Sequence, residues 1–383
     1  MKAPTLKPRR VIQGLSAEHP SIENRAGTVR LDMNENTGGA APRVVRGLRR
    51  AVTGKQLGTY PEYQGARAAL ARHFQVSPTE LLLTNGIDDA IKLICDTFVD
   101  PGDTLLIPAL TFTMYQFFHS VAGGKTDVIR YDARLRLPVH QVLAALGRAG
   151  SRRPPRWVAL ANPNNPTGRL ISKPDLRSVL KGAPGTLVLV DEAYFDYSGE
   201  TVLPWIRRFS NLVVSRTFSK AYGLAGLRLG LLFARREVIG WMRRAQAVFP
   251  VNSMALAAAL ESIRNPDDVR RHVEEVQVNR ARLCQCLESL GIPYAPSAAN
   301  FVFASFGERA PEIARRLTEQ RILVRHWSGD PHLRSYFRIG IGTGSETRRL
   351  IRALEGLGSL IEPQDPKSAW QGVMAHCPMS HRA

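Results

Sequence analysis

The stretch from Thr186 to Tyr194 reads TLVLVDEAY and joins a β-strand pattern to a polar ending. Its apolar residues follow one another without polar alternation, which is typical of a strand buried on both faces of a parallel sheet. Asp191 stands where this strand ends, and a carboxylate there loses its hydration unless a cation or a hydrogen-bond donor meets it. Ligands of open α/β sheets bind at the carboxyl ends of strands. The segment therefore predicts an α/β fold with a polar site at this strand end.

Short apolar runs of the same kind occur on both sides of this stretch. In the first part of the chain we predict strands at residues 81–84, 104–107, 157–160, 186–190 and 212–215, and helices at 88–99 and 114–121. Strands that alternate with helices indicate a mostly parallel sheet with helical crossovers. After Pro250 we predict helices at 253–263, 267–290, 311–320 and 346–360, and strands at 301–303, 322–324 and 336–341. This second pattern indicates a smaller α+β domain.

The chain of 383 residues is long enough for two or three domains. We expect an N-terminal arm and part of the small domain at 1–45, a large domain at 46–265, the small domain at 266–361 and a disordered tail at 362–383. The tail prediction rests on a mixture of Pro, Gln, Ser and His without periodicity.

The charge is the unusual feature of the composition. There are 52 Lys and Arg residues against 33 Asp and Glu, a formal net charge of +19, and only nine of the 52 are lysines. Such a balance raises the hypothesis of a nucleic-acid-binding protein, which would need a winged helix-turn-helix or a base-stacking platform. The chain has room for neither, and its arginine pairs lack interleaved aromatics. We therefore interpret the charge as a solvated basic surface that can steer anionic substrates.

The cysteines and the N-terminal sequence indicate the cellular compartment of the protein. Cys95, Cys284, Cys286 and Cys377 form neither a disulfide framework nor a metal-ligand spacing. The N-terminus has no apolar signal region, and no window has the roughly 18 apolar residues of a membrane span. We expect a soluble cytoplasmic protein with unpaired thiols, without a metal site, a membrane partner or a nucleic-acid partner.

Four polar segments follow predicted strand ends. They are Asn85 to Asp89, Asn162 to Gly168, Asp191 to Tyr194, and Ser215 to Gly230. Taken alone, the first is better explained as an ordinary turn in which Asp88 stabilises a helix dipole. In the last, Lys220 stands among hydroxyls and small residues, with Arg228 eight positions later.

These residue types suit an aldehyde cofactor held by a lysine. A Schiff-base lysine must be partly desolvated so that its amine can be neutral near neutral pH. A carboxylate must pair with a pyridinium nitrogen so that the ring accepts electrons. Hydroxyls, an arginine and the N–H groups of a helix N-terminus can bind a phosphate.

The segments Asn165 to Gly168 (NPTG), Asp191 to Tyr194 (DEAY) and Ser215 to Lys220 (SRTFSK), in that order, resemble fold type I pyridoxal-phosphate-dependent aminotransferases of classes I and II. The resemblance extends from Leu31 to Thr343 and is greatest to the branch around histidinol-phosphate aminotransferase. It implies a large domain with a mostly parallel seven-stranded sheet and a smaller α+β domain. It also implies pyridoxal 5'-phosphate as the cofactor.

The resemblance assigns roles around the cofactor ring. Lys220 would form the aldimine with the cofactor and, once freed, move the substrate's α-proton. Asp191 would hold the pyridine nitrogen, with Tyr194 and Asn165 on the ring oxygen. Phe112 matches the aromatic residue that stacks on the ring, a position often held by tyrosine.

The resemblance also implies the cofactor's phosphate site, the substrate site and the oligomer. The phosphate would be bound by the backbone amides of Gly86 and Ile87 and by Thr217, Ser219 and Arg228, and Asp88 would also belong to the cofactor site. Tyr60 would reach the phosphate of the neighbouring subunit, which implies a homodimer. Arg338 would hold the substrate's anionic end, and Asn34 and Arg325 would line the substrate side.

Three departures from the family pattern surround the predicted site. The N-terminal arm lacks a tyrosine-bearing segment, residues 31–39 read LDMNENTGG without the usual proline, and Ile87 replaces a small residue. Two hypotheses therefore stay open for the substrate. One is histidinol-phosphate aminotransferase, an enzyme of histidine biosynthesis that pairs histidinol phosphate and imidazole acetol phosphate with glutamate and 2-oxoglutarate. The other is an aromatic or specialised-metabolism amino-acid aminotransferase, or a decarboxylase or oxidase, on the same scaffold.

Overall fold

A computed structural model describes residues 6–15, 25–147, 154–365 and 368–375. In chain order its strands are β1 (Val29–Leu31), β2 (Leu81–Thr84), β3 (Thr104–Pro108), β4 (Lys125–Ile129), β5 (Trp157–Ala161), β6 (Leu187–Asp191), β7 (Leu212–Thr217), β8 (Gly230–Ala234), β9 (Tyr294–Ala295), β10 (Phe301–Ser305), β11 (Ile322–His326) and β12 (Tyr336–Gly340).

The α-helices are α1 (Arg10–Gln13), α2 (Pro42–Ala51), α3 (Gly54–Gly58), α4 (Tyr63–His73), α5 (Gly86–Phe98), α6 (Met114–Val121), α7 (Val139–Leu146), α8 (Lys173–Gly182), α9 (Phe195–Ser198), α10 (Arg236–Ala245), α11 (Ser253–Arg264), α12 (Pro266–Ser289), α13 (Ala310–Glu319), α14 (Gly344–Gly356) and α15 (Gln371–Ala375). Short 3₁₀ helices lie at Pro78–Glu80, Leu203–Arg207, Ala225–Leu227, Gly307–Arg309 and Gly358–Leu360.

A seven-stranded sheet forms the centre of the large domain. Its strand order is β2-β8-β7-β6-β5-β3-β4, and the strands from β7 to β4 are parallel. Alternate residues of β5 belong to different apolar clusters, with Trp157 and Ala159 on one face and Val158 and Leu160 on the other. Helices cover both faces, so the predicted buried, mostly parallel sheet is confirmed.

Two strands of this sheet were not predicted. β4 lies at the edge and is largely exposed, so its sequence KTDVI has no continuous apolar run. β8 runs antiparallel to both neighbours, β7 and β2. Its apolar sequence GLLFA directly follows the glycine-rich segment around Lys220, and for that reason it was not predicted as a separate strand.

The small domain is built on a five-stranded sheet of order β1-β11-β12-β10-β9. β1, from the N-terminal part of the chain, pairs in parallel with β11. The sheet packs against α12, α13 and α14 in a second apolar cluster. Thr343 and Glu346 form a capping box that starts α14 at Gly344, two residues before the predicted start.

The prediction of a disordered tail is wrong for residues 368–375. Trp370 and Val373 are buried, and α15 packs in an apolar cluster with the small domain. Periodicity cannot reveal so short a helix, because one and a half turns present too few positions for a pattern. The tail residues 366–367 and 376–383, with Cys377, lie outside the described part of the chain.

Candidate active site

The predicted polar segments meet at the carboxyl ends of three adjacent parallel strands. Ala161 of β5 is in register with Asp191 of β6, and Asp191 is in register with Ser215 of β7. The strand ends therefore bring the NPTG segment, the DEAY segment and the start of the lysine segment side by side. The sequence prediction of one shared site rests on the same geometry of parallel strands.

Asp191 is 3% exposed and accepts three hydrogen bonds. The Tyr115 hydroxyl donates to Oδ2 at 2.5 Å, the Ser215 hydroxyl to Oδ1 at 2.7 Å and the Ala193 N–H to Oδ1 at 3.2 Å. Burial raises the pKa of Asp191 above its ordinary value, and the three donors oppose that rise. The carboxyl group is thus held rigidly at the inner end of the site.

Lys220 follows β7 at the same edge of the sheet and is partly buried. Its Nζ donates to the Met33 carbonyl at 3.0 Å and lies 5.9 Å from the centre of the Tyr194 ring. Burial is the largest cause that lowers the pKa of Lys220, the positive charges of Arg338 and Arg228 act in the same direction, nearby carboxylates oppose them, and the net pKa is about 8. About a tenth of this amine is therefore neutral at pH 7, far more than of an ordinary lysine, and the neutral amine is the nucleophile.

Gly86 opens α5 and lies against the side chain of Arg228. Gly86 has φ +81°, and a Cβ at this position would lie inside the van der Waals contact distance of the Arg228 guanidinium. Arg228 also pairs with Asp88 at 3.2 Å, with both side chains about half exposed. Thr217 and Ser219 are buried close by in sequence, and the Ser219 N–H donates to the Thr217 hydroxyl at 3.1 Å. Helix N–H groups, hydroxyls and a guanidinium together suit a phosphate.

The predicted substrate side joins the two domains. Arg338, on β12, donates from Nη1 to Asn165 Oδ1 at 2.7 Å and from Nη2 to the Asp32 carbonyl, while its Nε is buried without a partner. Arg325, on the neighbouring antiparallel strand β11, lies directly opposite Arg338 in the strand register. Burial is the largest cause that lowers the pKa of Arg338, Tyr194 and Asp32 oppose it, the like charge of Arg325 adds to it, and the net pKa is about 10. Two adjacent guanidinium groups with an unpaired N–H are suited to an anion.

Asn34 belongs to the same cluster. Its Nδ2 donates to the Tyr194 hydroxyl at 2.9 Å, its backbone has φ 55°, and its Oδ1 is buried without a partner. A non-glycine residue in this left-handed region is uncommon and is tolerated best by asparagine. The side chain is therefore fixed against Tyr194 with a free acceptor.

Two predicted residues stand apart from this cluster. Phe112 is half-buried and packs edge-on against Tyr115, with 5.6 Å between ring centres. Tyr60 is 75% exposed and stacks on Phe249 at 4.1 Å. Within the described chain, therefore, Tyr60 lies on the surface, which is where a residue contributed to another subunit would be.

Comparison with known proteins identifies the family. Residues 26–354 match the family model described as aminotransferase class I and II. The chain belongs to this family.

Relatives and structural neighbours of this aminotransferase share its fold, and several of them are named histidinol-phosphate aminotransferase. Over 336 residues the chain is 34% identical to histidinol-phosphate aminotransferase of Caldanaerobacter subterraneus, covering 87% of this chain and 94% of the relative. The crystal structure of histidinol-phosphate aminotransferase from Sinorhizobium meliloti in complex with pyridoxal-5'-phosphate superposes with a TM-score of 0.83 at 27% identity, covering 94% and 99% of the two chains. L-threonine-O-3-phosphate decarboxylase from Porphyromonas gingivalis superposes with a TM-score of 0.74 at 26% identity, covering 86% and 99%.

Sequence reasoning missed two residues of this aminotransferase's site. Tyr115 contacts Asp191, and Asp32 borders the arginine pair, where its carboxylate pairs with Arg25. The position of Tyr115 on the first turn of α6, three residues after the predicted ring-stacking residue Phe112, was a usable signal. No local signal pointed to Asp32. Among the described residues, no group of His, Cys, Asp or Glu could hold a metal ion, and no helix there is long and apolar enough to cross a membrane.

Proposed function

We propose that this aminotransferase binds pyridoxal 5'-phosphate and exchanges an amino group between histidinol phosphate and 2-oxoglutarate, giving imidazole acetol phosphate and glutamate. The observation that carries the proposal is Lys220, an amine with a lowered pKa near the buried acceptor Asp191 and the anion-binding Arg338. The similarity to enzymes named histidinol-phosphate aminotransferase supports the substrate.

The residues present fit this cofactor. At Gly86 the Arg228 guanidinium lies too close to the backbone for a Cβ. A guanidinium in this position can bind a phosphate. Asp191 would hold the ring nitrogen, and Tyr194 and Asn165 would bind the ring oxygen. When bound, pyridoxal 5'-phosphate supplies an aldehyde that condenses with amines and a ring that withdraws electrons.

A larger set of groups would hold the cofactor's phosphate and its ring face. The phosphate would be bound by the backbone amides of Gly86 and Ile87 and by Thr217, Ser219 and Arg228, with Asp88 held beside it by its pair with Arg228, and Phe112 would cover the ring.

The chain's own groups then account for the proton transfers. Lys220 Nζ, when free, would take the proton from the substrate's α-carbon as a general base and deliver it to the cofactor's aldehyde carbon as a general acid. Asp191, as a carboxylate, would pair with the ring nitrogen and favour its protonated form. Arg338, Arg325 and Asn34 would hold the substrate's anionic end and orient the α-proton toward Lys220.

An amino-donor panel tests this function. Holoenzyme would be mixed with histidinol phosphate, L-phenylalanine, L-glutamate or L-threonine phosphate, and the change in cofactor absorbance would be followed in each half-reaction. We expect conversion with histidinol phosphate and with glutamate, and none in a Lys220→Ala variant. Conversion with phenylalanine but not with histidinol phosphate would overturn the substrate assignment.

A second candidate is decarboxylation of a phosphorylated amino acid. The structural neighbour named L-threonine-O-3-phosphate decarboxylase supports it, because the pair Arg325 and Arg338 would also suit its phosphate. Release of CO₂ from threonine phosphate, with no oxo acid formed, would favour this candidate over transamination.

We also propose that the active unit is a homodimer in which Tyr60 reaches the cofactor phosphate of the other subunit. Tyr60, Val248 and Phe249 are large exposed apolar residues, and the Tyr60 and Phe249 rings are already stacked. Contiguous exposed apolar surface favours a protein interface. Sedimentation should give a dimer for the wild type and a monomer with weaker cofactor binding for Phe249→Asp. A wild-type monomer that retains the cofactor would contradict the proposal.

A further inference from the structure

The C-terminal segment at residues 368–375 is bound to the small domain by rings, a hydrogen bond and close backbone packing. The Trp370 ring stacks on Phe303 at 5.7 Å and on Tyr336 at 6.0 Å. The Tyr336 hydroxyl donates to the Ala369 carbonyl at 2.8 Å. Gly372 packs so closely that a Cβ there would lie 2.9 Å from the Tyr336 hydroxyl and closer still to a carbonyl of the β11–β12 loop.

The chain that leads to this segment is anchored as well. Gln364 donates from Nε2 to the Ser305 carbonyl at 3.0 Å and accepts from the Ser305 hydroxyl at 2.8 Å. Ser305 ends β10 and is buried. The family model ends at residue 354, so the whole packed segment lies outside the matched part of the chain.

The same apolar cluster includes both domains. Leu110, Tyr131 and Leu135 come from the large domain and are buried in one cluster with Trp370 and Val373. Leu110 also connects to the site, because its carbonyl accepts from Asn164 of the NPNNPTG turn at 3.1 Å. The segment thus packs where the small domain meets the loop that precedes Phe112.

The cluster reaches the predicted substrate side through one further ring. Trp327 packs edge-on against Phe303 at 6.1 Å, and the guanidinium carbon of Arg325 lies 5.6 Å from the Trp327 ring centre. A guanidinium held on an aromatic face is oriented by that face. Trp370 and Trp327 pack against the same Phe303 ring, so the rings connect Trp370 to Arg325.

We propose that residues 368–375 form a strap that positions Arg325 for the substrate's distal anionic group, with Trp370 as the positioning residue. The proposal rests on the proposed aminotransferase function. Without the strap, the Trp327 ring loses part of its support and Arg325 is no longer held at one distance from Lys220. Misplacement of a binding group by about 1 Å can lower a rate as much as a hundredfold. The strap therefore sets the preference for substrates with a distal anion.

Two substrates separate this effect from a general loss of activity. L-Glutamate carries a distal carboxylate and L-alanine has none, and both half-reactions would be measured with holoenzyme of Trp370→Ala, Trp370→Phe and Gly372→Ala. We expect the glutamate-to-alanine ratio of kcat/KM to fall about tenfold in Trp370→Ala and Gly372→Ala, through a higher KM for glutamate. Trp370→Phe, which keeps a stacking ring, should recover most of the ratio.

The matched control is Gly356→Ala in α14, where an added Cβ meets no atom within 4 Å. It should leave the ratio unchanged. Arg325→Ala should lower the ratio by itself, and adding Trp370→Ala to it should lower the ratio no further. An unchanged ratio in Trp370→Ala, or equal losses for glutamate and alanine, would overturn the proposal.

A measurement without turnover keeps the strap separate from the proposed function. Hydrogen exchange of the holoenzyme should become faster at residues 131–135 and 327–335 in Gly372→Ala but not in Gly356→Ala. If the wild type converts neither amine, the proposed function fails, and the exchange result alone decides on the strap. Exchange at both segments that matches the wild type would refute it.

Discussion

The hydrogen bond from Tyr115 to Asp191 gives the most quantitative prediction. Tyr115→Phe removes only the hydroxyl of a fully buried side chain, so the ring packing and its contact with Phe112 persist. Asp191 keeps two of its three donors, from Ser215 and the Ala193 backbone. The variant therefore changes the charged state of one carboxyl group with little change of shape.

The size of the effect follows from the kind of bond that is lost. A hydrogen bond to a charged group contributes about 1.5–3 kcal/mol, and each 1.4 kcal/mol is a tenfold change in an equilibrium constant. Burial already raises the pKa of Asp191, and losing a donor to the anion raises it further. We expect pyridoxal 5'-phosphate to bind about tenfold to a hundredfold more weakly at neutral pH, because binding requires the carboxylate.

The pH dependence of activity and of cofactor binding tests the direction of this pKa shift. A carboxyl group with a raised pKa is ionised only at higher pH, so the acid limb of the kcat/KM profile should move to higher pH in Tyr115→Phe. Cofactor affinity, measured by absorbance titration, should recover toward the wild-type value as the pH rises. The comparison must be made at matched ionic strength, since screening also changes phosphate binding.

Tyr63→Phe is the matched control. The Tyr63 hydroxyl donates to the Val251 carbonyl at 2.8 Å and accepts from the Val251 N–H at 3.3 Å, so this variant also loses hydrogen bonds, but only to neutral groups. It should lower stability by about 1 kcal/mol and leave the pH profile unmoved. Equal cofactor affinity in Tyr115→Phe and the wild type, or an equal shift in Tyr63→Phe, would refute the assigned role of Tyr115.

Three further predictions concern cofactor binding and stability. Gly86→Ala should weaken binding of the cofactor in a titration, because the methyl group displaces Arg228 and strains a backbone with positive φ. Glu192→Gln should lower the free energy of unfolding in urea by about 3–5 kcal/mol, because it leaves the charge of Arg216 buried without its partner; an unchanged midpoint would contradict this. Burial lowers the pKa of His119 below its ordinary 6.5, so the stability from its neutral form is present above pH 6.5 and is lost as the pH falls toward the lowered pKa. Urea midpoints between pH 7 and 5 should therefore decline less steeply in His119→Gln, measured relative to its own value at pH 7.

The sequence predicted well where information is local. The buried strands around Asp191 could be predicted because a strand covered on both faces needs a continuous apolar run. α6 was predicted with its observed ends, Met114 and Val121, because its apolar face repeats at the helix period. The edge strand β4 was not predicted, because its exposed residues interrupt the apolar run.

The sequence by itself determined five of the seven strands of the large sheet, the family and the chemical groups at the strand ends, because parallel strands bring their carboxyl ends together whatever the rest of the chain does. Only the tertiary structure decided which groups act on one another. The contact of Tyr115 with Asp191 spans 76 positions and that of Arg338 with Asn165 spans 173. Trp370 is buried only because the small domain and residues 131–135 meet beside it. Such contacts depend on how whole elements pack, and no local pattern of residues records that packing.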